Sequence, residues 1–150
     1  MTKVIQGAAV AMTGLLAGNE LGTLIGSHPA LRSLPRQAEI EAERALTRQL
    51  GAIMPFYMSA TFASTVAAAL DRRGARGFGR AVAGAGATAG MLAITLVGNV
   101  PLNKRTMSYP SDGERREWEQ IRRRWELLHG TRVLLDLAAF GCLTSALADG

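Results

Sequence analysis

The chain has a single cysteine, Cys142, among its 150 residues. That excludes an intrachain disulfide, a CxxC redox pair, an iron–sulfur cluster and a cysteine-based zinc site. Aromatic residues are scarce at 5%, so the 48% apolar content is carried by aliphatic and small side chains. Acids are also short, 12 against 17 Lys and Arg, for a net charge of +5. In a soluble chain that excess points to nucleic acid. Here the basic residues flank apolar runs, so phospholipid headgroups are the simpler counter-charge and no nucleic-acid partner is expected.

The most informative shortage is local. No Asp, Glu, Lys, Arg or His occurs from Gly51 to Leu70 or from Ala81 to Leu102, and Val4 to Ser27 holds only Glu20. This segregation explains a mean hydropathy of +0.12 in a chain that is 19% charged. Each run is long enough to cross a hydrocarbon core of about 30 Å as a helix. The length suits one domain. The expectation is therefore an all-α, four-span membrane bundle occupying residues 1–150, with spans near 4–26, 51–70, 81–100 and 127–148. The first run is too long for a signal-peptide core and lacks a cleavage site, so it is expected to be retained.

Asp71 to Arg80 packs four arginines into a short loop, which argues for the cytoplasmic side. With four spans both termini share that side, giving a multi-pass cell-membrane protein. Ser111-x-x-Glu114 reads as a capping box, with acids early and Arg122, Arg123 and Arg124 late. Trp118, Ile121, Trp125 and Leu128 then fall on one stripe. This predicts an interfacial helix over about 111–126, lying in the headgroup layer or packed on the protein itself. Gly14, Gly18, Gly22 and Gly26 recur every four residues, and Gly86, Gly90 and Gly98 give span three a small surface. Both suit close packing within the bundle, and the first seam also suits a homo-oligomer.

Polar residues inside apolar spans are candidates for function by default. Thr13, Glu20, Thr23 and Ser27 share a face of span one, and His28 follows where Pro29 is expected to end it. On span four Trp125, His129, Arg132 and Asp136 share a face. Span three ends in Gly98-Asn99-Val100-Pro101-Leu102-Asn103, and span two begins Met54-Pro55-Phe56-Tyr57. In a four-span topology these segments all meet on the side opposite the arginine loop. An ion pair between Glu20 and Arg132 that only locks the bundle is the structural alternative.

Glu20, His28-Pro29, the Asn99-x-Pro101-x-Asn103 run, Trp118 and Trp125-x-x-x-His129-x-x-Arg132 together resemble the anthrone oxygenase-like family, over nearly the whole chain. The resemblance implies a four-helix integral membrane protein, some of whose relatives oxidise anthrones or similar phenols to quinones with dioxygen. On that reading dioxygen is a co-substrate and the other partners are the bilayer and a small apolar or aromatic substrate. His129, His28, Glu20 and Asn103 are the catalytic candidates, with His129 foremost as a neutral base. Asn99, Arg132, Tyr57 and Trp125 would bind substrate, with Phe56 as a further stacking surface. The reaction could run without a cofactor, or Glu20, His28 and His129 could hold one iron or copper ion. Two other classes fit the spans: a small proton-coupled exporter using Glu20, and a non-catalytic scaffold subunit.

Overall fold

The computed structural model describes residues 2–149, almost all of them helical. In chain order the elements are α1 (Thr2–Gly22), a π-turn (Thr23–Ser27), α2 (His28–Arg32), α3 (Arg36–Asp71), α4 (Phe78–Ile94), a second π-turn (Thr95–Asn99), α5 (Val100–Ser108) and α6 (Arg115–Ala148). Joined through the π-turns, they make four helical rods long and apolar enough to cross a membrane: Lys3–Arg32, Arg36–Asp71, Phe78–Ser108 and Arg115–Ala148. The expected four-span bundle is what the chain forms.

The rods outrun the apolar spans. α3 has 36 residues, about 54 Å at the helical rise, against about 30 Å of hydrocarbon. Its first half, expected to be a loop, is helical because Arg36 to Leu50 contains neither Gly nor Pro and is rich in Ala, Glu, Arg and Leu. The interfacial helix is likewise not a separate element: α6 runs unbroken from Arg115 to Ala148. Ser111 caps nothing; Glu114 is the N-cap residue and no side chain bonds to the helix start. Trp118, Ile121 and Trp125 do not meet headgroups. They are buried in a cluster with Ile40, Leu102 and Tyr109, and Leu128 packs against it. The projecting halves of α3 and α6 thus need each other's apolar stripe, and together they form a protein cap over one end of the bundle.

Neither proline ends its span. Pro29 and Pro101 stand in the first turn of α2 and α5, where the missing N–H has no partner to lose, and a π-turn precedes each. The two turns are spelled alike, Thr23-Leu24-Ile25-Gly26-Ser27-His28-Pro29 and Thr95-Leu96-Val97-Gly98-Asn99-Val100-Pro101. Each π-turn admits one extra residue per turn and so shifts the helix face. Thr23 is buried, Ser27 four residues on is exposed, and His28 five residues on is buried. Ser27 therefore leaves the polar face to which helical periodicity assigned it, and His28 takes its place.

The small-residue surfaces also differ from expectation. A Cβ on Gly18, Gly22 or Gly26 would meet nothing within 4 Å, so these three face outwards and only Gly14, against Phe140, packs inside. α4 and α6 make the most extensive helix contact, and it closes on Gly84 and Gly98. A Cβ at Gly84 would stand 3.0 Å from Leu143 Cγ, and one at Gly98 2.7 Å from Leu128 Cδ1. Gly84→Leu should therefore destabilise the bundle by about 1–3 kcal/mol through overpacking, whereas Gly22→Leu should leave a single bundle untouched. Unfolding in mixed micelles checks the first. A change in particle size with Gly22→Leu would identify the outer seam as a contact between copies, as we propose for any homo-oligomer.

The chain ends lie beside the arginine loop. Gln6 Nε2 donates to the Ala68 carbonyl at 2.8 Å and Arg80 pairs with Asp149 at 2.5 Å. Gly77 starts α4 at φ +79°, and a Cβ there would press on the Ala146 carbonyl at 3.1 Å. The opposite end, under the α3–α6 cap, collects the polar residues.

Candidate functional site

α6 supplies the spine of the site. Trp118, Arg122, Trp125, His129, Arg132 and Asp136 step by four and three residues and all are buried. That spacing keeps them on one face, turned towards α1, α2 and the projecting part of α3. Two Glu–Arg–His groups form along it, above and below the Trp125 indole.

The deeper group joins α1 to α6. Arg132 Nη2 donates to Glu20 Oε1 at 2.6 Å, and the two side chains are nearly sealed from solvent. His129 Nδ1 lies 3.1 Å from Glu20 Oε2, without the alignment of a hydrogen bond, and its Nε2 lies 3.1 Å from the Glu20 carbonyl oxygen. In the tautomer that donates Nε2–H to that carbonyl, Nδ1 is left without a hydrogen-bond partner beside the carboxylate. Asp136 is buried one turn further on, and neither of its carboxylate oxygens has a hydrogen-bond partner.

The outer group joins α2, α3 and α6. Glu43 Oε1 lies 2.8 Å from His28 Nδ1 and 2.9 Å from Arg122 Nη2, and Arg122 Nη2 is 2.9 Å from His28 Nδ1. Glu43 only accepts, so its contact takes an Nδ1–H of His28, whereas Arg122 only donates, so its hydrogen bond takes an Nδ1 lone pair; Arg122 and Glu43 themselves form an ion pair. The two contacts call for opposite tautomers, and in the one held by Glu43 the lone pair lies on Nε2, which is buried and has no partner. A carboxylate on one imidazole nitrogen and a free lone pair on the other is the arrangement of an oriented general base.

Trp125 separates the groups. Its ring stacks on His129 at 4.5 Å between centroids, and His28 meets it edge-on at 4.4 Å. The Arg122 guanidinium lies 4.9 Å above the same ring, a cation–π contact. The indole N–H donates to Asn103 Oδ1 at 2.7 Å, and Asn99 Nδ2 reaches the Trp125 carbonyl at 3.4 Å. Asn99 Oδ1 is buried without a partner. The repeated Asn pair therefore holds Trp125 by its side chain and its backbone.

The structure brings together Glu20, His28, Asn99, Asn103, Trp125, His129 and Arg132. It does not bring in Tyr57, whose hydroxyl donates to the Met12 carbonyl at 3.0 Å, or Phe56, which is 78% exposed on the outer face of α3. Two residues of the site were not anticipated, Glu43 and Arg122. The metal set fares poorly on geometry. Among the described residues no three His, Cys, Asp or Glu side chains lie close enough to hold an ion. An arginine already occupies each carboxylate, Arg132 on Glu20 and Arg122 on Glu43. Glu20, His28 and His129 do not fit a shared metal as they stand.

The anthrone oxygenase family model matches residues 42–142, more than half of the chain. The chain belongs to the anthrone oxygenase family. No curated protein and no solved structure matches it. The matched stretch contains Glu43, Asn99, Asn103, Arg122, Trp125, His129 and Arg132, while Glu20 and His28 lie ahead of it.

Proposed function

We propose that this family member is a membrane-embedded oxygenase that oxidises a small aromatic compound with an activated C–H bond, anthrone to quinone being the type reaction. Dioxygen is the oxidant and His28 the base. The observation that carries the reading is the His28–Glu43 pair: with Nδ1–H donated to Glu43, the buried and unpartnered Nε2, beside the Trp125 ring, holds the lone pair. His28 Nε2 takes a proton from the methylene carbon, whose anion is delocalised over the ring and its oxygens. Dioxygen adds to that carbon, and the hydroperoxide formed loses water to leave a carbonyl. One oxygen atom enters the product and the other leaves as water, so two hydrogens are lost and no outside reductant is needed.

Arg122 and Asn99 would supply N–H donors to the developing oxyanion, and Trp125, with His129 on one face and Arg122 on the other, holds the two groups together. Glu20, Arg132 and His129 support Trp125 from below, which moves His129 from base to positioning residue. We further propose that the arginine loop and both termini are cytoplasmic, placing the site near the outer leaflet. A cysteine at Gly74 that reacts with an impermeant reagent in intact cells would reverse this orientation.

Purified protein in lipid, given an anthrone, should consume one dioxygen per quinone formed. No rate above that of empty lipid with any of several anthrones, from protein of verified fold, would remove the oxygenase reading for this chain.

A further inference from the structure

Outside the buried site, between the α2–α3 turn and the start of α6, lies an open cavity of about 650 Å³. Arg32, Arg36, Arg115, Arg122 and Arg123 all line it. Three carboxylates line it too, but each is already engaged. Glu126 pairs with Arg32, Glu119 takes Arg115 at 2.7 Å, and Glu39 accepts from the Trp118 indole at 3.1 Å. Arg122 reaches inward to Glu43. That leaves Arg36 and Arg123 without a carboxylate of their own, against the one charge of Glu39, whose indole partner is neutral. Arg36 donates to the neutral Gly113 carbonyl and its Nε is buried without a partner, and Arg123 makes no ion pair among the described residues. The inner wall is Trp118, with the Arg122 guanidinium 6.0 Å from its ring centroid.

A concave site of this size with surplus guanidinium groups and an indole wall is built to take a flat anion. Guanidinium recognises carboxylate and similar oxyanions through paired N–H donors. The volume falls in the range of sites for small organic ligands. We propose that this cavity binds a planar aromatic anion, carboxylate or phenolate, with Arg36 and Arg123 as its charge contacts. The ligand is the substrate on its way to His28, a part of the proposal that rests on the oxygenase reading.

Arg122 gives the cavity a link to the chemistry. It lines the cavity on one side and holds Glu43 and His28 on the other. An anion in the cavity competes with Glu43 for that guanidinium. The cavity and the buried site thus share one arginine.

The test reads binding, not turnover, so that failure of the oxygenase reading leaves it intact. The protein is placed in phosphatidylcholine nanodiscs and titrated with 2-naphthoate and with 2-naphthamide, the neutral analogue, by calorimetry. Naphthoate should bind at least about tenfold more tightly, since one charge-assisted contact is worth that much. R123Q, an exposed change that leaves every ion pair intact, and R36Q should each remove about tenfold of naphthoate affinity and little of the amide's. Equal affinity for acid and amide, or indifference to both substitutions, would overturn the proposal. So would loss of naphthoate binding on adding phosphatidylglycerol, restored in R36Q, because the cavity would then be a headgroup site.

Discussion

Replacing His28 by alanine should lower dioxygen-dependent turnover by at least about 10²-fold, the usual loss for a general base, with the bundle still folded. Folding should survive because the substitution leaves Glu43 and Arg122 paired at 2.9 Å, so no buried charge is stranded. Glu43→Gln should have a smaller effect. The amide oxygen still accepts the Nδ1–H of His28 and keeps the ring in place, so turnover should fall less than in His28→Ala. His129→Ala is the control. That ring bonds the Glu20 carbonyl and stacks on Trp125, so its loss should reduce stability and loosen Trp125. Steady-state oxygen uptake on all three variants separates these cases. A His28→Ala enzyme of near-normal rate beside an inactive, well-folded His129→Ala would return the base to His129.

Much of this was legible in the residues. Long runs nearly free of charge imposed three of the four spans and an apolar run with three polar residues gave the fourth, and the step of four and three through Trp125, His129, Arg132 and Asp136 placed them on one buried face. The pairing of Glu20 with Arg132 followed from topology, which brings the end of span one to the start of span four. Three things were not legible, each for a physical reason. A helical wheel assumes 3.6 residues per turn, and the π-turns at Thr23–Ser27 and Thr95–Asn99 break that period. The repeated Thr-Leu-x-Gly-x-x-Pro spelling was the available sign.

Glu43 was hidden because Arg36 to Leu50, lacking an apolar run, resembles a solvated loop. Its helix formers and the Glu39, Ile40, Glu43 spacing were the signal of a half-buried helix. Arg122 was hidden by its neighbours Arg123 and Arg124, which do face outwards. It lies four residues after Trp118 and three before Trp125, on the same stripe, and burial beside two indoles follows from that position. The glycine seam misled for a different reason: periodic small residues permit close approach but do not say to what.

The deeper ion pair carries the largest expected effect on stability. Glu20 and Arg132 are almost fully buried and joined at 2.6 Å, so removing either partner strands the other's charge, at a cost of about 3–5 kcal/mol. The two losses should not be equal. In Glu20→Gln the stranded arginine still has Asp136 one turn away on α6, with both oxygens unpartnered, and a small side-chain adjustment lets that carboxylate take Glu20's place. In Arg132→Met there is no such reserve. Glu20 and Asp136 are then two buried carboxylates with no guanidinium between them, and His129 is the remaining donor to either. Arg132→Met should therefore be the more damaging of the two single changes. Glu20→Gln/Arg132→Met should be more stable than Arg132→Met alone, because it removes one of the two stranded carboxylates. Equilibrium unfolding of the four proteins in mixed micelles gives the cycle. Losses that simply add in the double variant would mean that the pair does not lock span one to span four, and that Trp125 is held in place from the outer group alone.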